Sequence, residues 1–158
     1  MNNLIRRAIF QFIPSWAVGF LLASVFHSSA VLIGLLRIEV KLTLNDWLFM
    51  IWHDLLGLLP TYGVIIAATL LLAFLITHFI VNRTGSRISK QRLSSIRFTL
   101  FTSAGGLSFL LMLLAMQPIL NVTLIAGARS TLGLLAQCFA GICAGGVYSY
   151  LSNSYTNN

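Results

Sequence analysis

The stretch IWHDLLGLLPTYG, residues 51 to 63, sets His53 beside Asp54 just before a long apolar run. An imidazole next to a carboxylate has the makings of a general acid–base with an orienting partner. Arg129, a lone charge in LIAGARST, would serve such a pair as an anion clamp. The spacing argues against that use. Neighbouring side chains on a helix diverge by about 100°, so His53 and Asp54 point in different directions and form a weak catalytic candidate. No serine–histidine–acid set, phosphate-binding glycine loop or metal-protease motif accompanies them. The expected use of the two isolated charges is an ion pair, Asp54 with Arg129, at the outer rim; the alternative is Arg129 reaching to lipid headgroups.

The remaining reactive side chains are scattered. His27, Thr69, Ser108 and Gln137 each lie about nine residues, or roughly 13 Å of helix, inside the outer end of an apolar stretch. That spacing predicts a polar layer, either a structural hydrogen-bond cluster or a place for a proton, a quinone or a small solute. His78 falls near the opposite end of its stretch, so it does not bracket a haem with His27, and the three histidines suit no metal ion. Cys138 and Cys143 are five residues apart on one apolar helix, too divergent for a disulfide and without a metal-binding pattern. No motif indicates a cofactor.

The elements that must hold these groups are membrane helices. Hydrophobic residues make up 58% of the chain and charged residues 8%, against roughly half and a quarter in soluble domains. The mean hydropathy is +0.90. With 158 residues there is room for about four spans of roughly 20 residues, hence one all-α membrane domain over residues 1–158, a four-transmembrane-helix bundle. The spans are expected over residues 14–36, 60–81, 98–117 and 130–151. Between the first two, residues 44–56 place Leu44, Trp47, Leu48, Ile51 and Leu55 on one helical face, predicting a short interfacial amphipathic helix capped by Thr43 or Asn45.

Prolines punctuate this plan. Pro14 suits a helix start, Pro60 marks entry into the second span, and Pro118 loosens or ends the third. Trp16 suits the interfacial aromatic belt. The beginning resembles a signal peptide, with Arg6 and Arg7 as its basic region, but the apolar stretch continues to Leu36 and predicts a retained span. Residues 152–158 read as a mobile tail.

The net charge of +7 does not point to nucleic acid, because the basic residues sit between spans and not on a water-exposed binding face. It points to topology. With the N-terminus in the cytoplasm, Arg6, Arg7, Arg83, Arg87, Lys90, Arg92 and Arg97 fall inside and Arg37, Lys41 and Arg129 outside, seven against three. Both termini are then cytoplasmic, in what reads as a bacterial inner membrane.

Gly133, Gln137, Gly141, Gly145 and Ser149 recur every four residues, beside Ala136, Ala140 and Ala144. Gly141 and Gly145 form a GxxxG motif that lets another helix approach closely. Gly19, Ala23, His27, Ala30 and Gly34 make a related row in the first span, and Thr99, Thr102, Ser103 and Gly106 one in the third. These faces predict tight helix packing, with the partner either inside the chain or on another subunit. The preferred reading is an accessory or assembly subunit embedded in the lipid bilayer and packed against another membrane protein or a second copy. The alternatives are a small-molecule transporter or channel, or a quinone-linked redox subunit, working through the polar layer. An enzyme built on His53 and Asp54 is the weakest reading.

Overall fold

The computed structural model describes residues 2–36, 43–84, 90–120 and 131–154, and every one of them except Thr43 is helical. Helix α1 runs Asn2–Leu36, α2 Leu44–Leu58, α3 Val64–Thr84, α4 Lys90–Leu120 and α5 Thr131–Ser154. A π-helical turn, Leu59–Gly63, joins α2 to α3 without a break. Its cause is local. Pro60 has no N–H and its ring crowds the carbonyl four residues back, so the ladder widens there. Four stretches are long and apolar enough to cross a membrane: Ile9–Leu36, Leu44–Arg83, Leu93–Met116 and Thr131–Asn153.

The helices pack in a ring in which α5 lies between α1 and α4, while α3 closes against α4 and α1. Successive contacts fix their directions. Along α1, Ser15 meets Ala144 and Ala23 meets Gln137; along α4, Arg97 meets Ser152 while Gly105 meets Gly141. Each crossing helix is therefore antiparallel to the next. The start of α1, the end of α3, the start of α4 and the end of α5 share one end of the bundle, which carries Arg83 and Arg97.

The α4–α5 seam is made of backbone. A Cβ on Gly145 would run into the Phe101 carbonyl and lie 2.9 Å from Thr102 Cα. One on Gly141 would strike the Gly105 carbonyl and come within 2.7 Å of the Phe109 ring. Below this seam Phe74 stacks on Tyr148 at 4.4 Å and meets Phe101 edge-on at 5.7 Å, and Phe101 is fully buried. The small-residue face is thus filled from within the chain by α4 and, through Ala144 against Gly19, by α1.

Several boundaries differ from the sequence reading, each for a physical reason. Helix α1 begins at Asn2 and keeps Pro14 inside it, which neighbouring helices allow in an apolar setting. Helix α4 begins at Lys90 and reaches Leu120, past Pro118. Trp16 stacks on Phe20 at 6.0 Å and donates its indole N–H to the Gly63 carbonyl at 2.8 Å, so the protein itself satisfies its polar edge. Ser152 and Asn153 belong to α5 and bond to Arg97 and Ser94, where a loose tail was expected. Thr43 caps α2, exchanging hydrogen bonds with Asp46.

Relative level along the bundle is the largest departure. The Gln137–Ala23 contact lies about 9 Å from the start of α5 but about 20 Å from the end of α1, so α1 overhangs α5 by about 10 Å. From Arg7 to Leu36 there are about 44 Å of helix, against about 30 Å of hydrocarbon in a bilayer. Asp54 on Ser28, with Gly63 on Trp16 further down, sets α2 antiparallel along the overhanging third of α1. None of the residues of α2 is buried. Trp47, Met50, Ile51, Asp54 and Leu55 are half-covered, while Leu44, Leu48, Phe49, Trp52 and Leu56 point away from the bundle, 54–85% exposed.

Candidate functional site

The polar groups of the apolar helices gather into separate contacts. Gln137, 1% exposed, accepts the Tyr62 hydroxyl at 3.1 Å and donates to the Ala23 carbonyl at 2.9 Å. This ties α5, the π turn and α1 together. The π turn supplies the geometry: it directs Tyr62 inward and leaves the Gly63 carbonyl to accept from Trp16. All of these groups are satisfied by protein, so the arrangement acts as a lock and not as an open binding site. Replacing Trp16 with phenylalanine should cost about 0.5–1.5 kcal/mol, read from unfolding in mild detergent, because the indole hydrogen bond to the Gly63 carbonyl is lost.

A second group lies further along α1. The Ser28 hydroxyl is 2.8 Å from Asp54 Oδ2 and 3.0 Å from the Ser24 carbonyl. The buried His27 Nδ1 and Ser24 Oγ have no hydrogen-bond partner. Helix geometry explains the grouping: Ser24, His27 and Ser28, at i, i+3 and i+4, share one face of α1, and α2 brings Asp54 onto it.

The four residues expected in one polar layer are distributed otherwise. Thr69 bonds to the carbonyls of Ile65 and Ile66 and lies 3.6 Å from Met112 Sδ; Ser108 bonds to the Gly105 carbonyl on its own helix. Gln137 joins Tyr62, and His27 Nδ1 makes no hydrogen bond. No hydrogen bond among the described residues connects any two of the four. Counting from helix ends put them level, but the overhang of α1 moves His27 away from Gln137.

His53 and Asp54 part as expected for helical neighbours. His53 is exposed, its ring 4.2 Å from that of Phe49, whereas Asp54 turns to α1. Arg129 lies outside the described residues. Gly133 is half-buried near the start of α5. Cys138 and Cys143 are free thiols. Among the described residues no three His, Cys, Asp or Glu side chains converge as a metal site would need. Sequence reasoning missed Ser24, Ser28 and Tyr62. The i, i+4 serines were visible as a pair, but nothing in the chain indicated that Asp54 would meet them.

No protein-family model, curated protein or solved structure matches the chain. The class defined by the fold is a small all-helical membrane-type bundle, with four helices apolar enough to cross a bilayer.

Proposed function

We propose that this chain is an accessory or assembly subunit of a bacterial inner membrane, with both termini in the cytoplasm, which holds another membrane protein through its α1–α2 hairpin. The observation that carries this reading is the outer face of α2. Helix α3 alone, 21 residues long, provides about 32 Å, enough to cross the hydrocarbon. Helix α2 is surplus to crossing, is not covered by the bundle, and presents Leu44, Leu48, Phe49, Trp52 and Leu56 outward. Aromatic and aliphatic side chains on an element that overhangs the hydrocarbon favour a protein neighbour. Gly19, Gly141 and Gly145 are occupied inside the chain, while Gly34, near the end of α1 alongside α2, has open space around it, which directs association to the α1–α2 side. Arg83 and Arg97 at the end shared by the termini support the cytoplasmic placement.

A photo-reactive side chain at Leu48 or Trp52 should yield one discrete protein adduct in native membranes, and none when placed at the buried Ala140. Leu48→Glu with Trp52→Glu should abolish the adduct formed from an unaltered neighbouring position while leaving the thermal unfolding of the bundle unchanged. Adducts with lipid alone would reject the reading. Substrate flux in vesicles, or quinone retained through purification, would replace it with the transporter or redox alternative.

A further inference from the structure

The α4–α5 seam changes character towards the end that carries Arg83 and Arg97. Gly141 meets Gly105 and Gly145 meets Phe101. In an antiparallel pair the next turn sets Ser149 opposite Arg97, since residues four apart share a helix face. The contacts beyond agree with that register: Arg97 Nη2 donates to Ser152 Oγ at 2.8 Å, and Asn153 Nδ2 to Ser94 Oγ at 3.0 Å. Backbone contact gives way here to polar side chains, and two of them are not satisfied. Ser149, 1% exposed, has a buried Oγ with no hydrogen-bond partner, and Arg97 Nε is buried without one. A guanidinium is always charged, with five N–H donors and no acceptor, and a serine hydroxyl also donates. What both lack is an oxygen.

The acidic side chains of the protein cannot supply it. They are Glu39, Asp46 and Asp54. Asp46 and Asp54 belong to α2, which lies along the far part of α1. Glu39 follows Leu36 by a stretch that reaches at most about 11 Å. Leu36 itself stands about 31 Å of helix beyond the Ser15–Ala144 contact, with Arg97 on the other side of that contact. The level along the bundle points to a source outside the chain. The apolar stretches of α4 and α5 reach Met116 and begin at Thr131. Arg97 is about 29 Å from Met116 and Ser149 about 27 Å from Thr131, close to the roughly 30 Å of hydrocarbon in a bilayer. Spanning helices of this length put Arg97 and Ser149 at the height of the lipid phosphates.

We propose that Arg97 and Ser149, with Ser152, bind a phosphate oxyanion at the α4–α5 seam, carried by an anionic lipid headgroup of the adjoining leaflet. Arg97 is only half-covered, so the oxyanion enters by the open edge. A turn of its flexible stem presents Nε and Nη as a fork, the arrangement in which arginine holds phosphate, and the Ser149 hydroxyl donates to the same group. The site rests on reading the helices as membrane spans. It does not involve α2, and stands whether or not the outer face of α2 holds a partner.

The test is thermal unfolding of the full chain in uncharged mild detergent, titrated with phosphatidylglycerol, phosphatidylcholine or inorganic phosphate. A group that binds the folded chain raises the midpoint. Phosphatidylglycerol should do so saturably, at concentrations where phosphatidylcholine does not. Arg97→Gln should raise the half-saturating concentration about tenfold or more, the worth of a hydrogen bond to a charged group. Arg83, over the Phe79 ring at the end of α3, is the control of equal charge, and Arg83→Gln should leave that concentration nearly unchanged. Ser149→Ala keeps the test decisive if Arg97→Gln does not fold. Its hydroxyl has no bond to lose, so the lipid-free midpoint should hold while the response to lipid falls. A response that survives both Arg97→Gln and Ser149→Ala overturns the proposal. So does one weakened equally by Arg83→Gln, which would mean a diffuse basic surface, or one equal for the two lipids. A shift given in full by inorganic phosphate, with nothing added by lipid, overturns the headgroup as the occupant and assigns the site to free phosphate.

Discussion

Gly145→Ala should destabilise the bundle while Gly146→Ala, one residue away, should not. Alanine is the better helix former by about 1 kcal/mol, so propensity alone favours both changes. Packing separates them. A Cβ on Gly145 meets the Phe101 carbonyl and Thr102 Cα, backbone atoms that cannot turn aside, whereas on Gly146 its nearest neighbour is Thr102 Cγ2 at 3.6 Å, an ordinary contact. Overpacking a core commonly costs about 1–3 kcal/mol, and here the helices would have to separate along the seam. Gly141→Leu, aimed at the Gly105 carbonyl and the Phe109 ring, should prevent assembly. Thermal unfolding and size-exclusion behaviour in mild detergent decide the matter. Equal stability of the two alanine variants would mean that α4 and α5 are not in backbone contact.

Gln137→Leu should produce the second large loss, because it strands the buried Tyr62 hydroxyl in a closed apolar setting and removes the amide that ties α5 to the Ala23 carbonyl. An unsatisfied buried group costs about 1–3 kcal/mol. Tyr62→Phe removes only one bond and should cost less. A double-mutant cycle over the two positions should give a coupling of about 0.6 kcal/mol or more, the size of measured polar contacts between membrane helices. Additive effects would show that the 3.1 Å contact between Tyr62 and Gln137 contributes nothing. Because Gln137 bridges α1, α5 and the π turn, its loss should also loosen α2, and proteolysis near the α2–α3 junction offers a separate readout.

Much of the helical plan was legible because apolar run length is a strong signal. Gly141 and Gly145 could be recognised as a packing face, since spacing by four places residues on one side of a helix. The occupant of that face was not legible: Gly105 and Phe101, far away in sequence, are chosen by how α4 and α5 approach. The candidate site was legible only in pieces. His27 and Asp54 each stood out as polar groups in apolar surroundings; Arg129, the expected partner of Asp54, lies outside the described residues, and no hydrogen bond among the described residues joins His27 to Gln137. The Asp54 carboxylate meets the Ser28 hydroxyl, and the buried His27 Nδ1 has no hydrogen-bond partner.

The sequence by itself determined that four helices suited to crossing a bilayer would form, where the small-residue faces lie, and that basic residues gather in the N-terminal segment and in the connection between the second and third spans. Those features depend on local run length, on i, i+4 spacing and on charge, all of which a linear chain records. Tertiary structure alone decided the axial offset between helices. An apolar helix repeats nearly the same surface every turn and carries no mark of its level. The offset is set by particular interlocks, Trp16 on Gly63, Ala23 on Gln137 and Gly145 on Phe101. That offset carries the end of α1 past the start of α5, draws α2 alongside it, and brings Asp54 onto Ser28.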